Sequence, residues 1–419
     1  MIPGNYQRIP FFFWVLFVVM LFVPVCGSAS EPSDTAWPIW HGRLGELTAV
    51  IDSSDDGMYY VAGSDTGLLR LYPLNGWKSW TFEKPGKSVM AVAMSGNGEY
   101  IAGAFFDSYH PSDETGGEIL YFNRSGNVQW VYPTGSTVQR VAVSESGNTI
   151  FVSGDLDFYS FDTSGNLLGK YKTGGTIWAV AASEDGTTGV AGSGYPDSGI
   201  SVMDANGTLL GNYPTTERMR SVDISANGEA VVGADFYRLY WLDRKGTLAW
   251  HYTSSPPFTQ VAMSPDAEYC AAASQYYLRF FNRAGSLLWT YEDPGYVNCV
   301  DISENGDFVI AGTEDATLLF DKSGQIIWKF NKGASHVSSS HDGNYFITSS
   351  GGEISSLIRD TGSGPTRQKT PAITPSLTGP VKNQSPVPSE PQPAPVPGSV
   401  PFAALVICAG AAIFFRRFT

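Results

Sequence analysis

The sequence predicts an all-β fold, a single β-propeller with eight four-stranded blades closed into one ring. The 419-residue chain repeats one unit, whose marker serines lie 37 to 49 residues apart. It has 46 glycines and 13% aromatic residues but only 16% charged residues, a composition typical of short strands and turns. Four short strands every ~40 residues is the spacing of propeller blades, and only a closed ring of such units buries both faces of each.

The first marker is a Ser-x-x-Gly turn that follows an apolar strand. It begins at Ser54, Ser95, Ser144, Ser183, Ser225, Ser264, Ser303 and Ser340. Glycine supplies the positive φ of such a turn, and only the copy at Ser264 has Ala267 in its place. A second strand of small and branched residues and a third of alternating bulk follow, as at 60–64 and 68–72. This marker predicts eight units.

The second marker is an Asx-Gly turn that leads to a fourth strand. Its glycine is followed four residues later by tryptophan or by Gly169 or Gly211. The turn occurs only seven times, and the eighth unit stops near Asp360 without it. Trp40 lies 14 residues before Ser54, the spacing of Trp130 to Ser144. We therefore expect residues 38–40 to complete the last blade. Seven blades is the alternative, if the Ser-rich last unit packs irregularly.

The two ends of the chain differ from the repeats. Residues 1–29 are predicted to be a signal peptide, because Arg8 precedes an apolar run over 11–23 and small residues; an uncleaved anchor is the alternative. The propeller is assigned to 36–360. Residues 361–401 hold eleven prolines and are predicted to be a disordered stalk. Residues 402–419 are predicted to be a short transmembrane or sorting segment.

The C-terminal segment contains a motif, an apolar run and a basic end in that order. Val396, Pro397 and Pro401 are followed by apolar residues and by Arg416 and Arg417. This order resembles the VPxxxP-CTERM sorting signal of methanogenic archaea. The resemblance implies cleavage by an archaeosortase and transfer to a surface anchor, and the alternative is a plain membrane anchor. Both place the propeller outside the cell, attached to the membrane.

The repeats resemble two propeller families over about 36–360. Segments 50–72 and 141–155 are similar to WD repeats, and segments 243–252 and 321–330 are similar to the tryptophan-docking motif of PQQ-type (quinoprotein-like) propellers. The second resemblance implies that the tryptophan of the motif packs against the next blade, and six of the eight units have a tryptophan there. Those tryptophans are Trp40, Trp80, Trp130, Trp250, Trp289 and Trp328. Propellers support many unrelated activities, so the fold alone names no function.

The composition argues against several functions. A net charge of −14 repels phosphate backbones, so we expect no nucleic-acid binding. None of the five histidines is paired at a metal-ligand spacing. The resemblance to PQQ-type propellers would also suit a PQQ- and Ca²⁺-dependent dehydrogenase. The sequence lacks the adjacent cysteines that often occur in such enzymes, and we expect no cofactor. Cys270 and Cys299 are interpreted as two buried thiols, with one disulfide as the alternative.

Candidate ligand residues lie four to five positions before the marker serines, where each innermost strand begins. They are Gln139, Arg140, Trp178, Arg220, Gln260, Asn298 and His336. Arginine pairs with carboxylates and aromatic rings stack on sugars. These residues therefore predict an anion or glycan site at the channel mouth; the alternative is a set of merely solvated channel residues.

Three further sets of residues have predicted roles. An insertion at 105–118 contains a weak candidate Ca²⁺ site, formed by Asp107, Asp113, Glu114 and Glu118. The alternative is that the insertion is a solvated loop. Aspartates that resemble the turn braces of WD repeats follow the second strand, at Asp65, Asp155, Asp235 and Asp315. Glycosylation sequons start at Asn123, Asn206 and Asn383.

The sequence as a whole favours a non-enzymatic, monomeric binding or scaffold propeller, displayed on a stalk at the cell surface. Its partner would be an envelope protein, a glycan or a small ligand. The alternatives are a PQQ-dependent dehydrogenase and an assembly factor for envelope proteins.

Overall fold

The structure is a computed structural model that describes residues 37–44, 49–74, 80–107 and 116–359. Within these residues it has 32 strands and eight four-stranded antiparallel sheets. The predicted eight-bladed propeller is confirmed, and the seven-blade alternative is wrong. The predicted signal peptide, stalk and C-terminal segment lie outside the described residues. Among those described, no helix is long and apolar enough to cross a membrane.

Blades 1 to 4 follow one another along the chain, each built from four consecutive strands. Blade 1 is β2 Ala49–Ser53, β3 Tyr59–Ser64, β4 Leu68–Pro73 and β5 Trp80–Glu83; blade 2 is β6 Ser88–Met94, β7 Tyr100–Phe106, β8 Glu118–Asn123 and β9 Val128–Pro133; blade 3 is β10 Val141–Val143, β11 Thr149–Ser153, β12 Asp157–Asp162 and β13 Leu167–Lys172; blade 4 is β14 Gly175–Ala182, β15 Thr188–Pro196, β16 Gly199–Asp204 and β17 Leu209–Pro214.

Blades 5 to 7 continue this order, and blade 8 takes its outer strand from the start of the propeller. Blade 5 is β18 Ser221–Ile224, β19 Ala230–Ala234, β20 Arg238–Asp243 and β21 Leu248–Thr253; blade 6 is β22 Phe258–Met263, β23 Tyr269–Ser274, β24 Tyr277–Asn282 and β25 Leu287–Glu292; blade 7 is β26 Val297–Ile302, β27 Phe308–Thr313, β28 Thr317–Asp321 and β29 Ile326–Phe330; blade 8 is β30 His336–Ser339, β31 Tyr345–Ser350, β32 Glu353–Ile358 and β1 Trp37–Arg43.

The Ser-x-x-Gly turn joins the first two strands of each blade by the same bonds. In blade 1 the Gly57 N–H donates to the Ser54 carbonyl at 2.9 Å, and the Tyr59 N–H donates to Ser54 Oγ at 3.1 Å. Gly57 has a φ of +66°, which glycine adopts at little cost. Ala267 stands in the place of this glycine in blade 6 and has a φ of 58°. In the described part of the chain it is the single non-glycine residue with a positive φ.

Ring closure occurs as the spacing of Trp40 predicts. Strand β1 pairs antiparallel with β32, from Trp37 opposite Ile358 to Arg43 opposite Glu353. On the other side of the junction, a Cβ added to Gly57 would lie 2.5 Å from Cβ of Tyr345. Blades 8 and 1 therefore pack as closely as neighbouring blades elsewhere in the ring.

The core lies between the blades, and the turns define two faces. One apolar cluster joins Phe280 of blade 6 to Val309 and Phe320 of blade 7. We call the face with the Ser-x-x-Gly and Asx-Gly turns the lower face and the opposite one the upper face. On the lower face, backbone bonds link successive blades, as from the Glu145 N–H to the Glu184 carbonyl at 3.0 Å.

Candidate binding face

The predicted ligand residues lie at the upper ends of innermost strands. Arg140 and Arg220 directly precede β10 and β18, His336 begins β30, and Trp178 lies within β14. They belong to blades 3, 5, 8 and 4, so they are distributed around the upper end of the channel. Burial among the surrounding blades lowers the pKa of the Arg140 guanidinium.

Two other predicted ligand residues hold neighbouring blades together. The Gln260 side-chain oxygen accepts a hydrogen bond from the Val300 N–H at 3.3 Å, from blade 7. The Asn298 amide donates to the Ala334 carbonyl at 3.2 Å, on the way into blade 8. These contacts give both side chains a structural role that their sequence position did not indicate.

Arg218 is a site residue that the sequence reasoning missed. Its guanidinium carbon lies 4.6 Å from the ring centroid of Trp178 and 5.2 Å from that of Phe236. Arg220 lies 5.0 Å from the same Phe236 ring. We call these four residues the arginine–aromatic cluster. Among the described residues, no carboxylate lies within ion-pair distance of either arginine.

Exposed tyrosines extend this cluster across the upper face. Tyr195 is 86% exposed and lies near the end of β15, and Tyr237 is 48% exposed and follows β19. Tyr276 and Tyr296 continue the row in blades 6 and 7, with ring centroids 5.6 Å apart. The signal was present in the sequence, because aromatic residues occupy loop positions that are polar in blade 1.

The lower end of the channel carries the opposite charge. His341 Nε2 lies 3.3 Å from an Asp55 carboxylate oxygen and 3.6 Å from one of Glu184. Burial, and then the charge of Glu145, raises the pKa of Asp55 to about 7. Each of these residues directly follows a marker serine, a position to which sequence analysis gave no role.

The predicted docking tryptophans lie on the lower rim, where four of them share one geometry. Each indole packs on the turn glycine of the next blade and donates to the carbonyl two residues before it. The donor–acceptor pairs are Trp80 to Arg124 at 2.8 Å, Trp130 to Thr163 at 3.0 Å, Trp250 to Arg283 at 2.9 Å and Trp289 to Lys322 at 3.1 Å. Trp40 stacks on Tyr72 at 4.5 Å, and Trp328 is buried in the junction of blades 7 and 8.

The remaining predicted residues have separate environments. Asp235 is buried and braces a turn, accepting from the N–H groups of Tyr237 and Arg238 at 2.8 and 2.7 Å. Cys270 and Cys299 are free and buried, so the disulfide alternative is wrong. Glu118 forms an ion pair with Lys84.

The insertion is only partly described. Asp113 and Glu114 lie outside the described residues, as do Asn383 and the predicted sorting residues. The described part of the chain contains no group of three potential metal ligands. Asn206 is exposed on its turn, whereas the side-chain oxygen of Asn123 accepts from the Ser125 and Asn127 N–H groups.

Comparison with known proteins supports the propeller at the level of fold. The model of the WD domain, G-beta repeat, matches residues 285–320, from the last turn of blade 6 through the third strand of blade 7. The outer membrane protein assembly factor BamB of Nitrosomonas eutropha is 29% identical over 120 residues, which are 28% of this chain and 27% of that protein. The match thus spans about a quarter of that relative.

Solved structures give the same architecture at low sequence identity. The C-terminal WD40 domain of Sif2 has a TM-score of 0.63 at 15% identity, over 77% of this chain and 98% of that one. The Dos1 propeller has a TM-score of 0.63 at 13% identity, over 77% of this chain and 95% of that one. The chain is therefore a WD-repeat-like β-propeller in architecture.

Proposed function

We propose that this chain is a non-enzymatic binding protein of the cell surface, which recruits an envelope protein or glycan through its upper face. The observation that carries the proposal is the arginine–aromatic cluster. Arg218 and Arg220 lie over Trp178 and Phe236 without a carboxylate partner among the described residues, on a chain with a net charge of −14.

The composition of this surface favours binding. Aromatic residues and arginine are enriched in the energetically important centres of protein interfaces. A guanidinium held against a ring presents its N–H groups in a fixed fork, which suits carboxylates. Tyr195 and Tyr237 add exposed rings beside the cluster. A partner with an acidic patch would therefore find both a charge complement and apolar contact area.

The two ends of the sequence support a surface location. The apolar run after Arg8 favours export, and the motif at 396–401 with Arg416 and Arg417 favours attachment at the surface. The propeller would then be held away from the membrane by the Pro-rich segment at 361–401, because such segments form extended spacers.

Crosslinking on intact cells tests the proposal. We expect the wild-type chain to crosslink to a specific envelope protein or glycan, and the Arg218→Glu/Arg220→Glu double variant to lose most of that product. Arg244→Glu is the matched control, because Arg244 pairs with Glu229 on the lower face; it should retain the product. The proposal fails if no specific partner is recovered, or if the double variant crosslinks as well as the control.

A second candidate is a role in assembling other envelope proteins. It rests on the 29% identity over 120 residues to a protein named as an outer membrane protein assembly factor. Deleting this chain would then lower the amounts of several surface proteins, as quantified by mass spectrometry of the envelope. If the chain only recruits a partner at the cell surface, deletion should leave the amounts of these proteins unchanged, apart from that partner.

A further inference from the structure

The central channel is closed at its lower end. His341 belongs to blade 8 and Glu184 to blade 4, which stand on opposite sides of an eight-membered ring. Their side chains nevertheless approach to 3.6 Å, and Asp55 of blade 1 lies 3.3 Å from the same imidazole nitrogen. These side chains therefore meet across the axis. An anion would be repelled at this acidic end and must enter the channel from the upper face.

The upper end carries positive charge. Arg220 lies at the upper end of blade 5, directly before β18, and Asp223 lies three residues further along the chain, within β18. Three residues of a strand span about 10 Å. Both carboxylate oxygens of Asp223 accept hydrogen bonds within the protein, from the Ile224 and Met263 N–H groups at 2.9 and 2.8 Å. The channel thus changes from cationic to acidic along its length.

Arg140 is a cation without a carboxylate partner among the described residues. Its guanidinium donates to the carbonyl of its neighbour Gln139 at 2.8 Å. The Arg140 side chain is exposed, and the blades around it lower the pKa of its guanidinium. Burial, and then the Arg140 charge, lowers the pKa of His336 to about 4. His336 Nδ1 lies 3.4 Å from the Ser349 hydroxyl.

We propose that the upper end of the channel, at Arg140 and His336, binds a carboxylate group, either of a free acid or of the C-terminus of a polypeptide. Arginine binds carboxylate through two parallel N–H bonds. A channel that is closed below accepts the end of a ligand more readily than the middle of a chain. The inference rests on the proposed function because it gives the ligand class for the same face.

His336 supplies the readout for a test with the purified full-length chain. The imidazole signals are followed by NMR at several pH values, with and without sodium acetate at constant ionic strength. An anion next to His336 stabilises its protonated form, so we expect acetate to raise the pKa of His336. His251, on the outer strand of blade 5, is the internal control, and its imidazole signals should not respond to acetate.

Variants locate the effect. Arg140→Gln should weaken acetate binding at least tenfold, Arg140→Lys should weaken it less, and Arg244→Gln should bind as the wild type does. A short peptide with a free C-terminus and its C-terminal amide distinguish the two sources. Binding of the acid peptide alone identifies a chain end, and binding of acetate with neither peptide identifies a small free acid.

Three outcomes would overturn the inference: no response of His336 to either acetate or the acid peptide, binding of the amide peptide as tight as that of the acid peptide when both bind, or unchanged acetate binding in Arg140→Gln. These outcomes are separate from failure of the proposed function. Crosslinking that depends on Arg218 and Arg220 can persist when the channel binds no carboxylate, and acetate can bind when no cell-surface partner is recovered.

Discussion

The two sides of blade 5 meet their neighbours in different ways. Towards blade 6, the Trp250 indole covers Gly285 and donates to the Arg283 carbonyl at 2.9 Å. Towards blade 4, the equivalent residue is Gly211, and a Cβ added there would lie 2.2 Å from the Lys245 carbonyl carbon. One junction is filled by a side chain and the other is closed by direct approach of the two backbones.

The same difference continues towards the axis. Asp223 of blade 5 accepts from the Met263 N–H of blade 6 at 2.8 Å, so a carboxylate joins these two blades. The equivalent position in blade 4 is Ala181, which has no carboxylate to offer blade 5. A blade junction therefore requires a filled gap but not a particular residue. The stability of the two kinds of junction should therefore respond oppositely to side-chain size: a smaller residue should weaken the tryptophan junction, and a larger residue should weaken the glycine junction.

Removing the indole should have the largest effect. Trp250→Ala should lower the free energy of unfolding by about 3 kcal/mol, because it leaves a cavity beside Gly285 and an unpaired carbonyl. Chemical denaturation measures the change. Leu209→Ala, on the outer strand of blade 4 and 38% exposed, should change it by less than about 0.5 kcal/mol. Equal effects in both variants would mean that the indole does not hold the junction.

A larger side chain at the junction of blades 4 and 5 should destabilise the protein somewhat less than Trp250→Ala does. Gly211→Ala should cost about 2 kcal/mol, because the methyl group would overlap the backbone of Lys245 and Gly246. Gly42→Ala is the control, since its Cβ would make an ordinary 3.5 Å contact with Trp40. A neutral Gly211→Ala, measured by the same denaturation, would show that the blades separate without cost.

The carboxylate junctions should make stability depend on pH. Burial raises the pKa of Asp52 and of Asp223 to about 7, from 3.8 in a free carboxyl. The folded chain then binds more protons than the unfolded chain between about pH 4 and 7, so the free energy of unfolding falls as pH rises through that range. The loss is complete above pH 7.

Asp223→Asn tests this dependence, because it removes one of the carboxyl groups whose pKa is raised. The fall in melting temperature between pH 5 and pH 8 should be smaller in this variant than in the wild type. Asp243→Asn, in an Asx-Gly turn of the lower face, should retain the full fall. An unchanged slope in Asp223→Asn would place the pH dependence elsewhere.

The smallest expected effect concerns the Ser-x-x-Gly-type turn between the first two strands of blade 6. Ala267 has a φ of 58°, where a side chain is strained by about 1–2 kcal/mol. Ala267→Gly should relieve that strain and raise the free energy of unfolding by about 0.5 kcal/mol, after the entropic cost of glycine. Ala226→Gly in the preceding blade, where φ is not positive, should not stabilise. A destabilised Ala267→Gly would show that its buried methyl group matters more.

Much of the fold could be predicted because its markers are local. The Ser-x-x-Gly turns give the eight units, and the spacing of Trp40 to Ser54 gives the closing strand. The junctions were also visible, since Gly169 and Gly211 stand at the tryptophan position. At the two junctions of blade 5, the residue at this position, Trp250 or Gly211, corresponds to the arrangement that the structure shows.

The candidate site was harder to predict, because ring closure brings distant residues together. His341 meets Asp55 across 286 positions of sequence, and Glu184 lies in the opposite blade. Arg218 reaches Trp178 and Phe236 from a connection that carries no repeat marker. Gln260 and Asn298 have the expected position but bond to the next blade. Position in a repeat predicts depth in the ring, but not what a side chain contacts.

The pairing of β1 with β32 also has a mechanical consequence. Trp37 lies opposite Ile358, so the chain enters and leaves the ring side by side in blade 8. Strand β32 is bonded on one edge to β31 and on the other to β1. A pull on the chain beyond Arg359 would therefore load two hydrogen-bonded ladders in shear, and many bonds would have to break together before the ring opened.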